Sequence, residues 1–359
     1  MQKVRFLHTS DVHLESKSPE RLDALIWILE KATIIKAAVV IVGDLFSSAK
    51  DAQALRSKVS EIFTLYSKVK VFIIPGFDDK DVYVNGEWFG SNVKLLKNSP
   101  YTEINYQGVK IVGVPHQEKT SLSQVLNKIS FNGLSILLIY GTLFDDSAQS
   151  VRKSIKENGE NFFPFFPDDI ADKNIVYVAM GHLHSGFTLI DCKGKKLCYP
   201  GSPISLGESD VGLRKVAQVE IDTDSKSVNL RECIITIGVY KVQKEFVILP
   251  GNEDKVMRSA ANYLKQNRDI RADMTIELKG FTRADKNWMA KRVENLIDRD
   301  KDSFHRLKIN DNTASYKQLI EGHALVQEFI SRMESSCVNS DVKYRAVELG
   351  IRAFEKELS

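Results

Sequence analysis

The sequence of 359 residues has no long apolar run. A helix that spans a membrane needs about 20 consecutive apolar residues, and no segment here approaches that length. The first residues lead directly into a short strand-like segment and show no signal-peptide pattern. We therefore expect no association with a membrane and a cytoplasmic location.

Cysteine is scarce and is not arranged for metal binding. The four cysteines are Cys192, Cys198, Cys233 and Cys337, and no two of them have the CxxC spacing of a zinc site. Cys192 and Cys198 are spaced to face each other across a hairpin. In a reducing compartment, however, free structural thiols are the default. The sequence therefore predicts neither a thiolate zinc site nor a disulfide framework.

Neither positively nor negatively charged residues are in large excess. The chain has 50 Lys and Arg against 47 Asp and Glu, which gives a formal net charge of +3. This balance permits nucleic-acid binding by a local patch but does not by itself indicate it. The hydrophobic content of 43% and charged content of 27% are those of an ordinary globular protein. The length suits one large domain with one or two smaller ones.

What the sequence does contain is a series of apolar segments that each end in carboxylate or imidazole side chains. Four segments, at residues 6–10, 39–42, 71–74 and 176–180, are followed by Asp11-Val12-His13, Gly43-Asp44, Pro75-Gly76-Phe77-Asp78-Asp79 and Gly181-His182-Leu183-His184. Open α/β sheets bind ligands at the carboxyl ends of their strands. Aspartate and histidine are common ligands of divalent cations. The series therefore predicts a metal centre.

The periodicity of the first two-thirds of the chain predicts an α/β domain. Amphipathic helices at residues 19–36 and 51–68 alternate with buried strands at 38–42 and 69–74. Further strands are predicted at residues 102–106, 109–114, 134–140, 216–222 and 227–233, and an aromatic and proline-rich loop at 161–169. Together they predict a two-sheet β-sandwich flanked by helices over residues 1–236.

A change of pattern after residue 236 predicts two further parts. Strands at 239–249, 274–279 and 304–309 alternate with helices at 253–266 and 285–298, which indicates a smaller α+β capping domain over residues 237–312. Two helical patterns follow in residues 313–359. We expect these residues to form a C-terminal helical segment that binds a partner.

The motifs at the strand ends resemble those of the calcineurin-like metallophosphoesterases. Within that superfamily, Gly43-Asp44-Leu45-Phe46, the block Tyr199-Pro200-Gly201-Ser202-Pro203 and the later cap are most similar to the SbcD-type DNA repair nucleases, the meiotic-recombination-eleven family. The resemblance implies the metallophosphoesterase fold and a manganese-dependent exonuclease in double-strand break repair. It also implies DNA as substrate, a homodimer, and an SMC-like ATPase of the SbcC type as partner.

The resemblance also assigns ligands by position. It implies that Asp11, His13 and His184 hold one cation, that Asp44 bridges, and that His182 serves a second cation. Two cations about 4 Å apart can activate water and stabilise both the attacking and the leaving oxygen of a phosphodiester. His182, Asp44 and Asp78 are the candidates for catalytic residues.

The sequence departs from the family pattern around the second cation. The third motif should supply an amide ligand and then a histidine, but Phe77 and Asp78 stand there. Tyr140 stands where a histidine ligand should precede Gly141. Only Asp44 and His182 remain for the second cation. We therefore expect one well-formed site and one weak site.

These departures leave three interpretations open. The chain is a DNA phosphodiesterase with impaired activity, in which Asp78, Asp79 or His116 stands in as a ligand. Alternatively it is a catalytically inactive subunit that binds DNA or the ATPase. The third alternative is a one-metal phosphatase of small phosphate esters. In the plainer interpretation, Asp78 is a turn residue and His116 a loop histidine.

Overall fold

The structure, a computed structural model, describes residues 3–83, 89–117, 120–144, 163–316 and 324–338, with positions 342, 345–347, 349–350 and 353. It divides into two compact units, Met1–Tyr240 and Lys241–Ser359. Most of the second helical pattern of residues 313–359 lies outside the described residues. The division into three domains stays a prediction.

The first unit alternates strands and helices along the chain. Its elements are β1 (Lys3–Ser10), α1 (Pro19–Ile35), β2 (Ala38–Val42), α2 (Ala49–Leu65), β3 (Val71–Ile74), β4 (Val93–Leu95), β5 (Thr102–Tyr106), β6 (Val109–Val114), α3 (Leu122–Leu126), β7 (Ser135–Tyr140), β8 (Thr142–Leu143), β9 (Pro164–Phe165), α4 (Pro167–Ala171), β10 (Ile175–Gly181), β11 (Thr188–Cys192), β12 (Lys195–Tyr199), β13 (Lys215–Asp222) and β14 (Val228–Ile234). A 3-10 turn, Lys80–Tyr83, follows the third motif.

Two six-stranded sheets form this unit. The first has the order β14-β13-β1-β2-β3-β4 and the second the order β11-β12-β10-β7-β6-β5. Strands β1 to β4 are parallel, as are β6, β7, β10 and β12. The carboxyl ends of parallel strands meet at one edge of a sheet, so the predicted motifs are brought to common edges. The predicted two-sheet fold flanked by helices is confirmed.

Apolar side chains build this unit in layers. Val40, Val42 and Phe72 of the first sheet share a buried cluster with Ile136 and Leu138 of the second. The opposite face of the first sheet packs on α1 and α2, and that of the second packs on α3 and α4. Each sheet is therefore covered on both faces. For this reason the sequences of its central strands are continuous apolar runs.

The segment predicted as a loop at 161–169 has regular structure where it is described. Pro164–Phe165 forms β9, which pairs in parallel with β8, and Pro167–Ala171 forms α4. Phe163 and Phe165 are buried in the core of the second sheet. Residues 161 and 162 lie outside the described residues. Phe163 and Phe165 therefore serve packing, which outweighs the local turn signals of the segment.

The two hairpin cysteines do not face each other. In the register of β11 and β12, Cys192 lies opposite Lys195 and Cys198 lies opposite Leu189. The turn at Lys193 and Gly194, both with positive φ, sets this register. All four cysteines are free thiols.

The second unit is a smaller α+β structure. Its elements are β15 (Tyr240–Ile248), α5 (Glu253–Gln266), β16 (Asp269–Thr282), α6 (Lys286–Asp300), β17 (Phe304–Asp311), β18 (Ala314–Ser315) and α7 (Ala324–Ser335). Its sheet has the order β15-β16-β17, and β18 also pairs with β16. In both units, no helix among the described residues is long and apolar enough to cross a membrane.

The two sheets of the first unit press together where β10 ends. A Cβ atom added to Gly181 would lie 1.9 Å from the carbonyl oxygen of Val42. We expect Gly181→Ala to lower the free energy of unfolding by about 3 kcal/mol, because backbone must move to relieve the overlap. Gly186→Ala is the control, since a Cβ there meets nothing within 4 Å. Equal urea denaturation midpoints for the two variants would contradict this prediction.

Candidate metal centre

The backbone adopts a left-handed conformation at three strand ends that carry the predicted ligands. The φ angles are +51° at Asp11, +47° at His13, +42° at Asp44 and +98° at His182. Residues other than glycine rarely adopt positive φ, and those that do are held there by their surroundings, often at functional sites. Strain of this kind therefore marks the ends of β1, β2 and β10 as the site.

Three side chains at the ends of β1 and β10 form a first donor group. Single donor atoms of Asp11, His13 and His184 all lie within 4.8 Å of one another. The Nε2 atoms of His13 and His184 are 3.2 Å apart, and His184 Nε2 is 3.8 Å from Asp11 Oδ1. Metal–ligand bonds of about 2.0–2.2 Å place two ligands up to about 4.4 Å apart. The group therefore fits one divalent cation.

Asp44 and Asp78 approach the same histidine. Together with His13 they form a second donor group within 4.8 Å. Asp44 Oδ2 lies 3.9 Å from His13 Nε2, and Asp78 Oδ2 lies 3.8 Å from His13 Nδ1. His13 belongs to both groups, but it faces His184 and Asp44 with Nε2 and Asp78 with Nδ1. A cation bound at Nε2 would therefore be lined by Asp11, His13, Asp44 and His184. Asp78, with 46% of its side chain exposed, forms the side open to solvent.

The orientation of Asp44 is set by the third motif. Its Oδ1 accepts a hydrogen bond of 2.8 Å from the backbone N–H of Asp78. Gly76 lets the loop pass this close, since a Cβ there would lie 2.2 Å from Asp44 Oδ1. The sequence of the third motif therefore positions the carboxylate of the second motif.

Asp79, predicted as an alternative ligand, instead accepts hydrogen bonds from neighbouring residues of the protein. Its Oδ1 accepts from the Gly76 N–H at 2.8 Å, and its Oδ2 accepts from the Leu45 N–H at 2.8 Å and the Tyr83 hydroxyl at 2.5 Å. The side chain is fully buried. It belongs to neither donor group among the described residues. Asp79 therefore ties the loop after β3 to the loop after β2.

His182 contacts a tyrosine in the place where the resemblance implies a second cation. Its backbone N–H donates to both carboxylate oxygens of Asp11 at 3.1 Å. Its Nδ1 lies 3.1 Å from the hydroxyl of Tyr140, which donates to Asp44 Oδ2 at 2.5 Å. Among the residues that the structure describes, His182 is in neither donor group.

Aromatic rings line the same side of the centre. The rings of Phe77 and His116 meet edge to face with centroids 5.3 Å apart, and those of His116 and Tyr140 do so at 6.1 Å. Lys80 Nζ lies 4.7 Å from the centroid of Phe77. His116 is also outside both donor groups of the described chain. Among the described residues, no group of three metal donors lies on this side of the centre.

Residues 4–205, more than half of the chain, match the family described as Calcineurin-like phosphoesterase. The chain belongs to this family. Members bind divalent metals and hydrolyse phosphoesters, which agrees with the donor groups at the strand ends. No curated protein matches the sequence.

Similar solved structures include two of Vps29 from Entamoeba histolytica. A single mutant of Vps29 is 14% identical with a TM-score of 0.30, and the match covers 65% of this chain and 100% of that one. Wild-type Vps29 complexed with zinc is 13% identical with a TM-score of 0.27, and the match covers 64% and 99%. Similarity at this level supports no conclusion about function.

Crowded carboxylates dominate the electrostatics of this calcineurin-like phosphoesterase. Burial, reinforced by the negative charge of Asp79 and Asp11, raises the pKa of Asp44 to about 8. Burial likewise raises the pKa of Asp11 to about 7. Burial and neighbouring positive charge lower the pKa of His13 to about 3, so its imidazole is neutral and able to bind a metal. A cation would stabilise the ionised carboxylates.

Two arginines that no sequence motif indicated hold the histidine ligands from behind. Arg21 Nη1 donates to the carbonyl oxygen of His13 at 2.6 Å. Arg214 Nη2 donates to the carbonyl oxygen of His184 at 2.5 Å, and its Nε donates to that of Ser202 at 2.8 Å. Both arginines come from elements next to the motifs in space. Their role follows from the fold and could not be found from spacing.

The raised pKa values predict that metal affinity depends on pH. Manganese must displace protons from Asp11 and Asp44, whose pKa values in the metal-free protein are about 7 and about 8. We expect affinity to rise steeply from about pH 6 and to level off above about pH 8. Calorimetric titration in buffers of different ionisation enthalpy measures affinity and proton release together. A flat profile with no proton release would contradict the prediction.

The hydrogen bond from Arg214 to the His184 carbonyl oxygen predicts that a substitution of Arg214 weakens metal binding even when the positive charge is kept. Arg214→Lys keeps the positive charge but cannot reproduce the paired donors to His184 and Ser202. We expect it to weaken manganese binding by about tenfold, as loss of a residue that orients a ligand does. Arg231→Lys, at an exposed position of β14, is the matched control. Unchanged manganese affinity in a folded Arg214→Lys protein would show that the contact does not position the ligand.

Proposed function

We propose that this calcineurin-like phosphoesterase is an SbcD-like DNA phosphodiesterase that works with one firmly bound divalent cation, manganese. The observation that carries the proposal is the convergence of Asp11, His13 and His184 within 4.8 Å at strand ends of a metallophosphoesterase fold. The family supports metal-dependent hydrolysis of phosphoesters in general. The identification of DNA as the substrate is more specific than the family match and is part of our proposal.

The donor chemistry supports the choice of cation. Asp11, His13, Asp44 and His184 would hold it, with Asp78 at the open side. Carboxylate and imidazole donors without a thiolate are compatible with manganese, as they are with zinc and iron(II), and the resemblance to the SbcD-type nucleases selects manganese among them. When bound, a divalent cation supplies Lewis-acid chemistry, since it polarises a phosphoryl oxygen and activates water. His184, with 37% of its side chain exposed, leaves the centre open to a substrate.

The block at residues 199–203 supports the SbcD-like assignment on physical grounds. The backbone N–H of Ser202 donates to the carbonyl oxygen of His184 at 3.3 Å, and Ser202 Oγ donates to that of Ile204 at 2.7 Å. Gly201 has a φ of +74°, and a Cβ there would lie 2.3 Å from the carbonyl oxygen of Ser185. The block therefore supports the last metal motif from behind. A homodimer, an SbcC-type ATPase partner and a cytoplasmic location belong to the same proposal.

A catalytically inactive subunit that binds DNA or the ATPase is the second candidate. The hydrogen bonds of Tyr140 to Asp44 and His182 favour it, because they occupy the donors expected at a second cation. Without a second ion, stabilisation of the leaving oxygen is lost. We therefore expect hydrolysis to be slow even if the first candidate is right.

Hydrolysis with manganese tests these candidates. We expect slow turnover of bis(p-nitrophenyl) phosphate and single-stranded DNA, and loss of more than about 100-fold in Asp11→Asn, since a direct ligand matters more than a residue that orients one. Asp172→Asn, at an exposed acidic position, is the control. DNA binding without turnover would select the inactive subunit. Turnover of nucleotides but not DNA would select a phosphatase of small esters.

A further inference from the structure

The hydroxyl of Tyr140 lies between the two side chains that the family pattern leaves for a second cation. It donates to Asp44 Oδ2 at 2.5 Å and lies 3.1 Å from His182 Nδ1. A hydroxyl has one proton, and while Asp44 is ionised, as it is when it binds a cation, that proton points to Asp44. The His182 contact is therefore a hydrogen bond donated by Nδ1–H to the Tyr140 oxygen. One chain of hydrogen bonds runs from His182 through Tyr140 to Asp44.

This chain competes directly with a cation. An imidazole nitrogen forms one bond, in the plane of the ring, to either a proton or a metal. While Nδ1 of His182 holds the proton that it donates to Tyr140, the same nitrogen cannot bind a cation. The hydroxyl also takes one lone pair of Asp44 Oδ2, the oxygen that faces His13 at 3.9 Å, and leaves the other lone pair for the first cation.

The surroundings hold Tyr140 in this position. Its side chain is buried, with 3% of its surface exposed. Its ring lies directly over Gly43, where a Cβ would come within 1.9 Å of Tyr140 Cδ2. The rings of His116 and His182 pack against it, with centroids 6.1 and 5.2 Å away. A ring packed on three sides cannot swing aside without disturbing the core, so the hydroxyl is a fixed part of the centre.

We propose that the Tyr140 hydroxyl takes the place of the second cation, and that the centre is mononuclear because of this residue. In this arrangement Asp44 is a ligand of one ion rather than a bridge between two. The hydroxyl takes over the bridging role by a hydrogen bond to each of the two side chains. The inference rests on the part of the proposed function that assigns one firmly bound cation, and it is tested by counting ions. Hydrolysis of DNA is tested separately by turnover, so a failure of the ion count and a failure of the proposed substrate can be told apart.

The test compares three forms of the full chain saturated with manganese. The native protein, the double variant Phe77→Asn/Asp78→His, and the triple variant that adds Tyr140→His are analysed for metal content and by electron paramagnetic resonance. We expect about one ion per chain and an uncoupled spectrum in the first two, because both keep Tyr140. We expect about two ions and an exchange-coupled spectrum in the triple variant, since ions about 3.5–4 Å apart interact.

The outcomes separate clearly. Two coupled ions in the native or double variant would overturn the proposal, because Tyr140 would then not exclude the second ion. One ion in a folded triple variant would also overturn it. If the triple variant does not fold, Tyr140→His alone decides, with a weak second ion expected and its absence contradicting the proposal. A phenolate-to-iron(III) charge-transfer band in the iron-loaded native protein would show Tyr140 to be a ligand and would overturn it as well.

Tyr177→Phe is the matched control for changes at Tyr140. Tyr177 is also a buried tyrosine of the second sheet, and its hydroxyl bonds His8 Nδ1 at 2.8 Å. Removing that hydroxyl should leave the manganese content at about one ion per chain, as in the native protein. A second ion in Tyr177→Phe would attribute the extra binding to loosened packing and would overturn the assignment to Tyr140.

Discussion

Close packing between the two sheets is the constraint on which the centre depends. At the end of β10, Gly181 lies against the carbonyl oxygen of Val42 with no room for a methyl group. This contact brings the loop that carries His182 and His184 up to Asp11, whose carboxylate accepts the backbone N–H of His182. The metal ligands thus come from two separate sheets, and their spacing reflects how tightly those sheets pack.

Much of this arrangement could be predicted from the sequence. Continuous apolar runs indicated buried parallel strands, and Asp11, His13, Asp44 and His184 stand at their carboxyl ends as expected. These predictions succeed because strand periodicity and strand-end chemistry are local properties of the chain. The family match agrees with them and extends over residues 4–205.

The remainder depends on contacts between residues far apart in sequence. From the sequence, Tyr140 is only an absent ligand, and the packing of β7 on β2 across the two sheets is what places its hydroxyl on Asp44. From the sequence, Asp79 is a candidate metal ligand, but its carboxylate accepts hydrogen bonds from backbone N–H groups of two loops. Arg214 belongs to no motif, and its bond to the His184 carbonyl follows from how the loop before β13 folds back. Side-chain direction and pairing across sheets are not encoded in local spacing.

The Tyr140 hydroxyl also changes the charge that a substrate meets. A neutral hydroxyl in place of a dication leaves the centre less positive by two charges, while the carboxylates of Asp11, Asp44 and Asp78 are unchanged. A polyanion such as DNA is drawn to a protein mainly by positive potential. With a net charge of only +3 over the whole chain, attraction at the centre is weak. Under the proposed function, long-range capture of DNA would therefore fall to surfaces away from the metal.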